Sequence, residues 1–265
     1  MKIFESINDV SSVIDGSVLV IGNFDGVHCG HQALLTKGKE IAQKASLPFI
    51  VLTFMPHPAE ILRPQYPLKL ILPYEDKIKE LRKYNIDYLI IQKFDKLFSL
   101  IQAETFIEDF LINRLRIKHI IVGQNFKFGS NNGNVELLQN YSRKFNFEFL
   151  SMDLLYGVDQ QIISSSRIKQ KLGAGDVHQV KKMLGRDYIV TAYGVESIDN
   201  VYSFFFNQPL ALKLGLYEVL LRHPAMDERI KITLFYDGFK GGKSQIMEDI
   251  DYSEVEITFK NYIEV

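Results

Sequence analysis

The sequence predicts an α/β protein, a helix-covered parallel sheet followed by a small β-rich C-terminal domain. Three observations carry this expectation. Short apolar runs alternate with longer stretches of helical period up to about residue 184. The runs are apolar at successive positions, as suits strands covered by helices on both faces rather than strands with one wet face. From Tyr188 onward the helical period fades and β-branched and aromatic segments take over.

Each element has a local reason. Ser17–Asn23 is a β-branched run ending in Gly and Asn, a strand leading into a turn. His31–Ala45 follows as a helix, with Leu34, Leu35, Ile41 and Ala42 on one side. Phe49–Phe54 is a second strand, cut off by Pro56 and Pro58. Tyr74–Tyr84 reads as a helix and Asp87–Phe94 as a third strand. Ala103–Leu115 is helical, with Phe106, Ile107, Phe110 and Leu111 as its apolar face. Lys118–Gly123 is a fourth strand, Asn134–Phe145 a helix and Phe147–Met152 a fifth strand. Strands separated by helices of this length form βαβ units, which makes the sheet parallel. Ser164–Leu172 and Asp176–Leu184 are short helices joined by Gly173-Ala174-Gly175, with Asp176 placed as an N-cap and Gly185 as a C-cap. Beyond them Val201–Phe206, Tyr217–Leu221, Ile230–Tyr236 and Glu254–Phe259 read as strands, and Gly238–Gly242 as a turn. A boundary near Arg186–Tyr188 gives two domains, 1–187 and 188–265.

Composition narrows the functional classes. The 265 residues are 46% hydrophobic and 24% charged, a globular rather than a disordered mix. Lys and Arg number 31 against 32 Asp and Glu, which argues against an electrostatic nucleic-acid binder. A single cysteine, Cys29, excludes an intrachain disulfide and a multi-cysteine zinc site. The opening MKIFESINDV lacks the basic and apolar regions of a signal peptide. No apolar run approaches the roughly 20 residues of a membrane span. The expectation is a soluble, cytoplasmic protein with a packed core, with neither membrane nor nucleic acid as partner.

The stretch richest in chemistry is Gly22-Asn23-Phe24-Asp25-Gly26-Val27-His28-Cys29-Gly30-His31. It joins the first predicted strand to the first helix, at the carboxyl end of a parallel sheet, where open α/β folds bind ligands. Gly22 and Gly26 allow tight turns and close approach to a ligand. His28 and His31, three apart, share a face if both lie on the first helical turn. A helix N-terminus adds free N–H groups and partial positive charge, which suits a polyphosphate. Read from these residues alone, the histidines also fit a cap, a solvated surface or half of a metal site.

The whole string resembles the G-x-F-D-G-x-H-x-G-H signature of the prokaryotic FAD synthetases, the adenylyltransferase half of the bifunctional riboflavin kinase/FMN adenylyltransferase family. Its HxGH core is shared with the wider HIGH-type nucleotidyltransferases. Further matches follow in order. Thr53-Phe54-Met55-Pro56-His57-Pro58 resembles TFxPHP, and Gly123-Gln124-Asn125-Phe126-Lys127-Phe128-Gly129 resembles GxxFxFG. Ile163-Ser164-Ser165-Ser166-Arg167-Ile168 resembles ISSTRIR with Ser166 in place of Thr. Gly175-Asp176 and Leu184-Gly185-Arg186-Asp187-Tyr188 resemble the closing GD…LGRPY. The resemblance covers about residues 15–190.

It implies a Rossmann-like nucleotidyltransferase domain that makes FAD and pyrophosphate from ATP and FMN, with Mg²⁺ accompanying ATP. His28 and His31 would hold the ATP phosphates and stabilise the leaving pyrophosphate, and Gly30 would let helix and triphosphate approach. Gly22, Asn23, Phe24 and Asp25 would line the same turn, Asp25 either organising it or holding a magnesium-bound water. Ser164, Ser165, Ser166 and Arg167 would form a second phosphate grip, and Ser164 and Arg167 join the two histidines as catalytic residues. Read without the family, they are an N-cap serine run and a surface arginine. His57, Asn125, Phe126 and Phe128 would contact FMN, although a His between prolines and alternating Phe residues also suit a rigid turn and a buried strand end. No residue is assigned as a metal ligand. Cys29 occupies the variable position of HxGH, where a helix N-terminus could lower its pKa and expose it to thiol reagents.

The chain departs from the family beyond Tyr188. The family's riboflavin kinase barrel carries G-x-x-x-G-F-P-T-A-N, and residues 188–265 contain no such stretch; Thr191, Thr233 and Thr258 have other neighbours. Ile189–Val195 resembles the barrel's first strand, and Pro209–Leu220 faintly resembles its P-x-G-x-Y-x-V segment. The tail is also short for the family. The expectation is a degenerate barrel without kinase activity, left to pack against the first domain or to self-associate as a homo-oligomer. Its acidic end, Glu248, Asp249, Asp251, Glu254 and Glu256, reads as a solvated edge. Two other functions stand against the leading one: nucleotidyl transfer to another acceptor, and a flavin-binding or regulatory protein without catalysis.

Overall fold

Burial explains the order of the first sheet. In the computed structural model, which describes residues 1–10, 15–198, 201–222, 229–238, 240–245 and 254–264, the chain forms two compact units. The first consists of Met1–Phe24, Gly30–Leu68 and Glu80–Leu155. Its elements are β1 (Lys2–Phe4), a 3₁₀ turn (Ile7–Asp9), β2 (Ser17–Ile21), α1 (Cys29–Ala45), β3 (Phe49–Met55) and α2 (Pro58–Leu62). They continue with α3 (Tyr74–Arg82), β4 (Tyr88–Lys93), α4 (Lys96–Ser99), α5 (Ala103–Thr105), a π-helix (Phe106–Arg114), β5 (Ile117–Gly123), α6 (Val135–Phe145) and β6 (Glu148–Met152). Cys29 of α1 and Tyr74–Lys79 of α3 belong to the second unit.

The six strands lie in the order β1-β4-β3-β2-β5-β6, all pairs parallel. β2 is buried at every position and sits in the middle, with Leu19 opposite Ile50 on one side and Ile120 on the other. The outer β6 is half-buried, as an edge strand should be. α1 approaches the sheet closely at Gly38, where an added Cβ would lie 2.5 Å from Val20 and 2.6 Å from Phe49. α6 is bounded by Asn134, whose side chain accepts the Leu137 N–H, and by Asn146 in the left-handed conformation.

β1 and the helix expected over Ala103–Leu115 differ from the sequence reading. β1 adds a sixth strand at the β4 edge; its three residues are too few to show a period. The helix expected over Ala103–Leu115 is α-helical only to Thr105 and then widens into a π-helix, with Leu115 N–H donating to the Phe110 carbonyl. The wider turn keeps Phe106 stacked on Phe110 and both rings against Phe98.

The second unit consists of Asp25–Cys29, Lys69–Lys79 and Tyr156–Val265. It holds α7 (Ser165–Gly173), α8 (Val177–Leu184) and strands β7 (Tyr188–Ile198), β8 (Val201–Phe205), β9 (Gly215–Arg222), β10 (Arg229–Tyr236), β11 (Lys240–Gln245) and β12 (Glu254–Ile263). The strands form an antiparallel sheet in the order β10-β9-β12-β7-β8-β11. β11 corrects the expected Gly238–Gly242 turn: Gly241 and Gly242 lie in the strand, at a register irregularity opposite β8, and only Gly238 keeps a turn-like positive φ. Glycine's short-range turn signal was outweighed there by pairing with β8.

α7 and α8 share one buried cluster with this sheet, Ile168, Leu172, Val180 and Leu184 with Val190, Val219 and Ile257 among others. Three fully buried tyrosines are each satisfied: Tyr188 donates to the Ile71 carbonyl at 2.8 Å, Tyr217 to Lys213 at 2.8 Å and Tyr236 to Leu210 at 3.2 Å. Of the acidic end, Glu254 pairs with Lys79 and Glu256 with Arg222, while Glu248, Asp249 and Asp251 lie outside the described residues. Among the described residues no helix is long and apolar enough to cross a membrane.

Candidate functional site

In the first unit, β2, β3 and β4 run to one side of the sheet while β5 and β6 run to the other, so the strand order reverses between β2 and β5. Ligands of open α/β sheets bind outside the carboxyl ends of strands at such a reversal. A cavity of about 680 Å³ lies there. Gly22 and Asn23 line it just past β2, Phe54 and Pro58 at the end of β3, Phe94 past β4, and Asn125, Phe126 and Phe128 past β5. Phe126 stacks on Phe128, with centroids 5.3 Å apart and planes 16° apart, and Phe128 touches Phe106. The loop carrying these rings is tied down. Ser130 N–H donates to the Ile101 carbonyl, and Asn131 accepts from Ala103 N–H and donates to Glu104.

The other first-unit residues singled out by sequence take these places. Phe24 is fully buried with φ 52°, a left-handed conformation that costs a non-glycine residue energy, and its ring meets that of His31 at 5.2 Å. His31 and Gly30 lie in the first turn of α1. The Asn23 carbonyl accepts from Thr53 Oγ1 at 3.2 Å. His57 caps α2. Its Nδ1 accepts Ala59 N–H at 3.1 Å, which places the proton of the neutral ring on Nε2, and Glu60 Oε1 accepts His57 N–H at 3.0 Å.

In the second unit, Asp25–His28 is a buried turn. Asp25 Oδ1 accepts Ile71 N–H at 3.0 Å, and its Oδ2 lies 2.6 Å from Lys169 Nζ. These two contacts tie the Asp25 carboxylate to the Ile71 backbone and to Lys169. His28 lies just ahead of α1, so only His31 of the pair is helical. Burial lowers the His28 pKa from 6.5 to about 4; the Asp25 charge opposes this and Arg186 adds to it. Its imidazole is therefore neutral near pH 7. Cys29 departs from the expectation of a lowered pKa: burial raises it, and Sγ sits 3.9 Å from the Lys182 carbonyl.

Ser164 caps α7, its side chain accepting Arg167 N–H at 3.3 Å. Ser165 Oγ donates to the Asp25 carbonyl at 3.0 Å, and Ser166 is exposed. The Arg167 guanidinium pairs with Asp159 and donates to the carbonyls of Gln161 at 3.2 Å and Ile162 at 3.4 Å. Sequence reasoning missed Asp159 and Lys169 and gave Arg186 of the closing motif no role, though all three hold named residues; it also gave no site role to Phe94, Phe98 and Phe106, which wall the cavity. The position of Phe94 and Phe98 just past a strand's carboxyl end was the available signal.

A parallel sheet with its ligand-sized cavity at the strand-order reversal makes this a Rossmann-like α/β protein. Within that class the chain belongs to the FAD synthetase family, whose model matches residues 11–167. A bifunctional riboflavin kinase/FMN adenylyltransferase of Buchnera aphidicola is 36% identical over 192 residues, covering 72% of this chain and 61% of the relative. The protein of that description from Escherichia coli K12 is 32% identical over 193 residues, with coverage of 72% and 61%. This chain thus matches about three fifths of the length of these relatives. A crystal structure of a macrolide-efflux protein from Streptococcus pneumoniae superposes with a TM-score of 0.83 at 24% identity, over 99% of this chain and 90% of that one, and shows the fold alone.

Proposed function

We propose that the chain transfers the adenylyl group of ATP to FMN, giving FAD and pyrophosphate. The observation that carries this reading is the cavity of the first unit. Its roughly 680 Å³ suits one nucleotide-sized ligand. Its phenylalanine walls suit a flat isoalloxazine, and the Asn125 amide suits that ring's polar edge. The family assignment and the names of the relatives support the reading.

In this reaction an FMN phosphate oxygen bonds to the α-phosphorus of ATP. The bond from that phosphorus to the bridging oxygen breaks, and pyrophosphate leaves with the electron pair. The nucleophile is already an anion and needs no general base, so the protein's work is positioning and charge stabilisation. We assign the ATP phosphates to His28 and His31, the surrounding turn to Gly22, Asn23, Phe24, Asp25 and Gly30, and a second grip to Ser164, Ser165, Ser166 and Arg167. FMN falls to His57, Asn125, Phe126 and Phe128. A neutral His28 supplies a hydrogen bond; Arg167 supplies charge.

Magnesium is expected to arrive on the ATP phosphates. Among the described residues no three His, Cys, Asp or Glu side chains gather for a metal, and both Asp25 oxygens are engaged. Phosphate and water oxygens would therefore hold the ion, and no step is assigned to it.

Riboflavin phosphorylation is not part of the proposed activity, because residues 188–265 contain no Pro-Thr-Ala-Asn stretch; a separate kinase would supply FMN. The test is a paired incubation of purified protein with Mg-ATP and either FMN or riboflavin, products separated by chromatography. FAD from FMN, with no FMN or FAD from riboflavin, is expected. FMN formed from riboflavin overturns the kinase part. No product in either tube from folded protein overturns adenylyl transfer and favours another acceptor or a binding role.

A further inference from the structure

Arg186 follows the left-handed C-cap Gly185 of α8, where φ is 68°. Its guanidinium donates to the Gly26 carbonyl at 2.8 Å through Nη2, and to the Val27 carbonyl at 3.1 Å and the Leu184 carbonyl at 3.2 Å through Nη1. One planar group thus holds two successive carbonyls of the turn that ends in His28. The Asp25 carbonyl is held in turn by Ser165. Val27 has φ 41°, a strained conformation for a β-branched residue that persists only where surrounding bonds enforce it. Gly26 has φ 81°, and a Cβ there would come within 2.8 Å of Ile71.

We propose that Arg186 is a positioning residue for adenylyl transfer: it fixes the Gly26–Val27 backbone and so sets where the His28 imidazole stands. The proposal rests on the phosphate-binding role given to His28 above. Lysine cannot replace arginine here, because an ammonium is a point charge without the rigid fork that spans adjacent carbonyls. Two charged groups act on His28, Asp25 from its own turn and Arg186 from the end of α8, and they act in opposite directions. Arg186 therefore has two separable effects, one geometric and one electrostatic.

The experiment uses the full chain with Arg186→Lys and Arg186→Met, measuring kcat and KM for FMN and titrating the His28 ring by NMR with ring-labelled histidine. Misplacement by an ångström costs about a hundredfold in rate, so kcat should fall by about that factor in both variants while KM for FMN stays within about twofold. The His28 pKa should rise in Arg186→Met, where the positive charge is lost, and move less in Arg186→Lys. Addition of guanidinium to Arg186→Met should restore part of kcat. Unchanged kcat in Arg186→Lys with only a lower melting temperature overturns the proposal. If the wild type makes no FAD, the adenylyl-transfer reading falls, and the geometry is read without it: Val27 and His28 amide chemical shifts and hydrogen-exchange protection should change in Arg186→Lys, which keeps the charge and loses the fork, and unchanged values overturn the positioning of the turn.

Discussion

Replacing His28 by Asn should flatten the acid limb of the protein's stability profile. His28 is only 6% exposed, and its pKa is lowered from 6.5 to about 4, first by burial and then by Arg186 against the opposing charge of Asp25. The folded pKa therefore lies below the unfolded one. Between pH 6.5 and pH 4 the unfolded chain binds a proton that the folded chain refuses. The stability tied to the neutral ring is complete above pH 6.5 and is lost as the pH falls through that window. At 1.36 kcal/mol per pKa unit the loss is about 3 kcal/mol between pH 7 and pH 4. Urea unfolding of wild type and His28→Asn at several pH values measures it. Asp76, whose pKa burial raises, and Asp159 and Asp187, whose lysine and arginine partners lower theirs, titrate in both proteins and drop out of the difference. The wild type should lose about 3 kcal/mol more than the variant over this span. Parallel curves would refute the claim that the turn buries a neutral imidazole.

Three further outcomes test other parts of the arrangement. Asp159→Asn removes the carboxylate that competes for Arg167. ATP binding should therefore tighten by calorimetry, and weakening as large as that of Arg167→Ala would contradict the competition. Phe128→Ala removes one ring of the stacked pair in the cavity, so FMN should bind about tenfold more weakly while KM for ATP stays unchanged. Tyr188→Phe deletes the buried bond to the Ile71 carbonyl and should lower stability by about 1–2 kcal/mol in urea, with little change in the denaturant slope.

The parallel sheet was legible because its strands announce themselves at every position. Ser17–Ile21 and Phe49–Met55 are buried nearly throughout, and burial on both faces leaves an unbroken apolar run. The caps at Asp176 and Gly185 were legible too, since each is a local exchange between a side chain or a left-handed residue and the adjacent helix end. β1 and β11 were not. Lys2–Phe4 owes its conformation to pairing with β4, and the glycines of Lys240–Gln245 owe theirs to pairing with β8. Neither partner is near in sequence, so no local period or turn signal could reveal them. The π-helix was hidden for a similar reason: its widening accommodates Phe98, eight residues earlier than Phe106, and the helical pattern of Phe106, Ile107, Phe110 and Leu111 reads the same in either form.

At the site, the motifs marked where chemistry is concentrated but not what each side chain is bonded to. Asp25 could be read either as a holder of a metal-bound water or as a scaffold of the turn, and its contacts with Ile71 and Lys169 could not be read from the motif at all. Ser164 was read as a phosphate ligand or a helix cap, and its bond to Arg167 N–H makes it the cap of α7. A hydroxyl accepting that bond still has its own proton to donate, so capping and phosphate contact are compatible for serine in a way they would not be for an aspartate, which accepts only. Under the proposed phosphate role, a run of serines suits this helix start better than the stronger charged cap: a carboxylate at Ser164 would satisfy the same N–H and repel the phosphate. Ser164→Asp should therefore keep α7 and its melting temperature while losing ATP affinity. Calorimetry beside thermal unfolding tests this, and equal ATP binding in the aspartate variant would remove Ser164 from the phosphate grip.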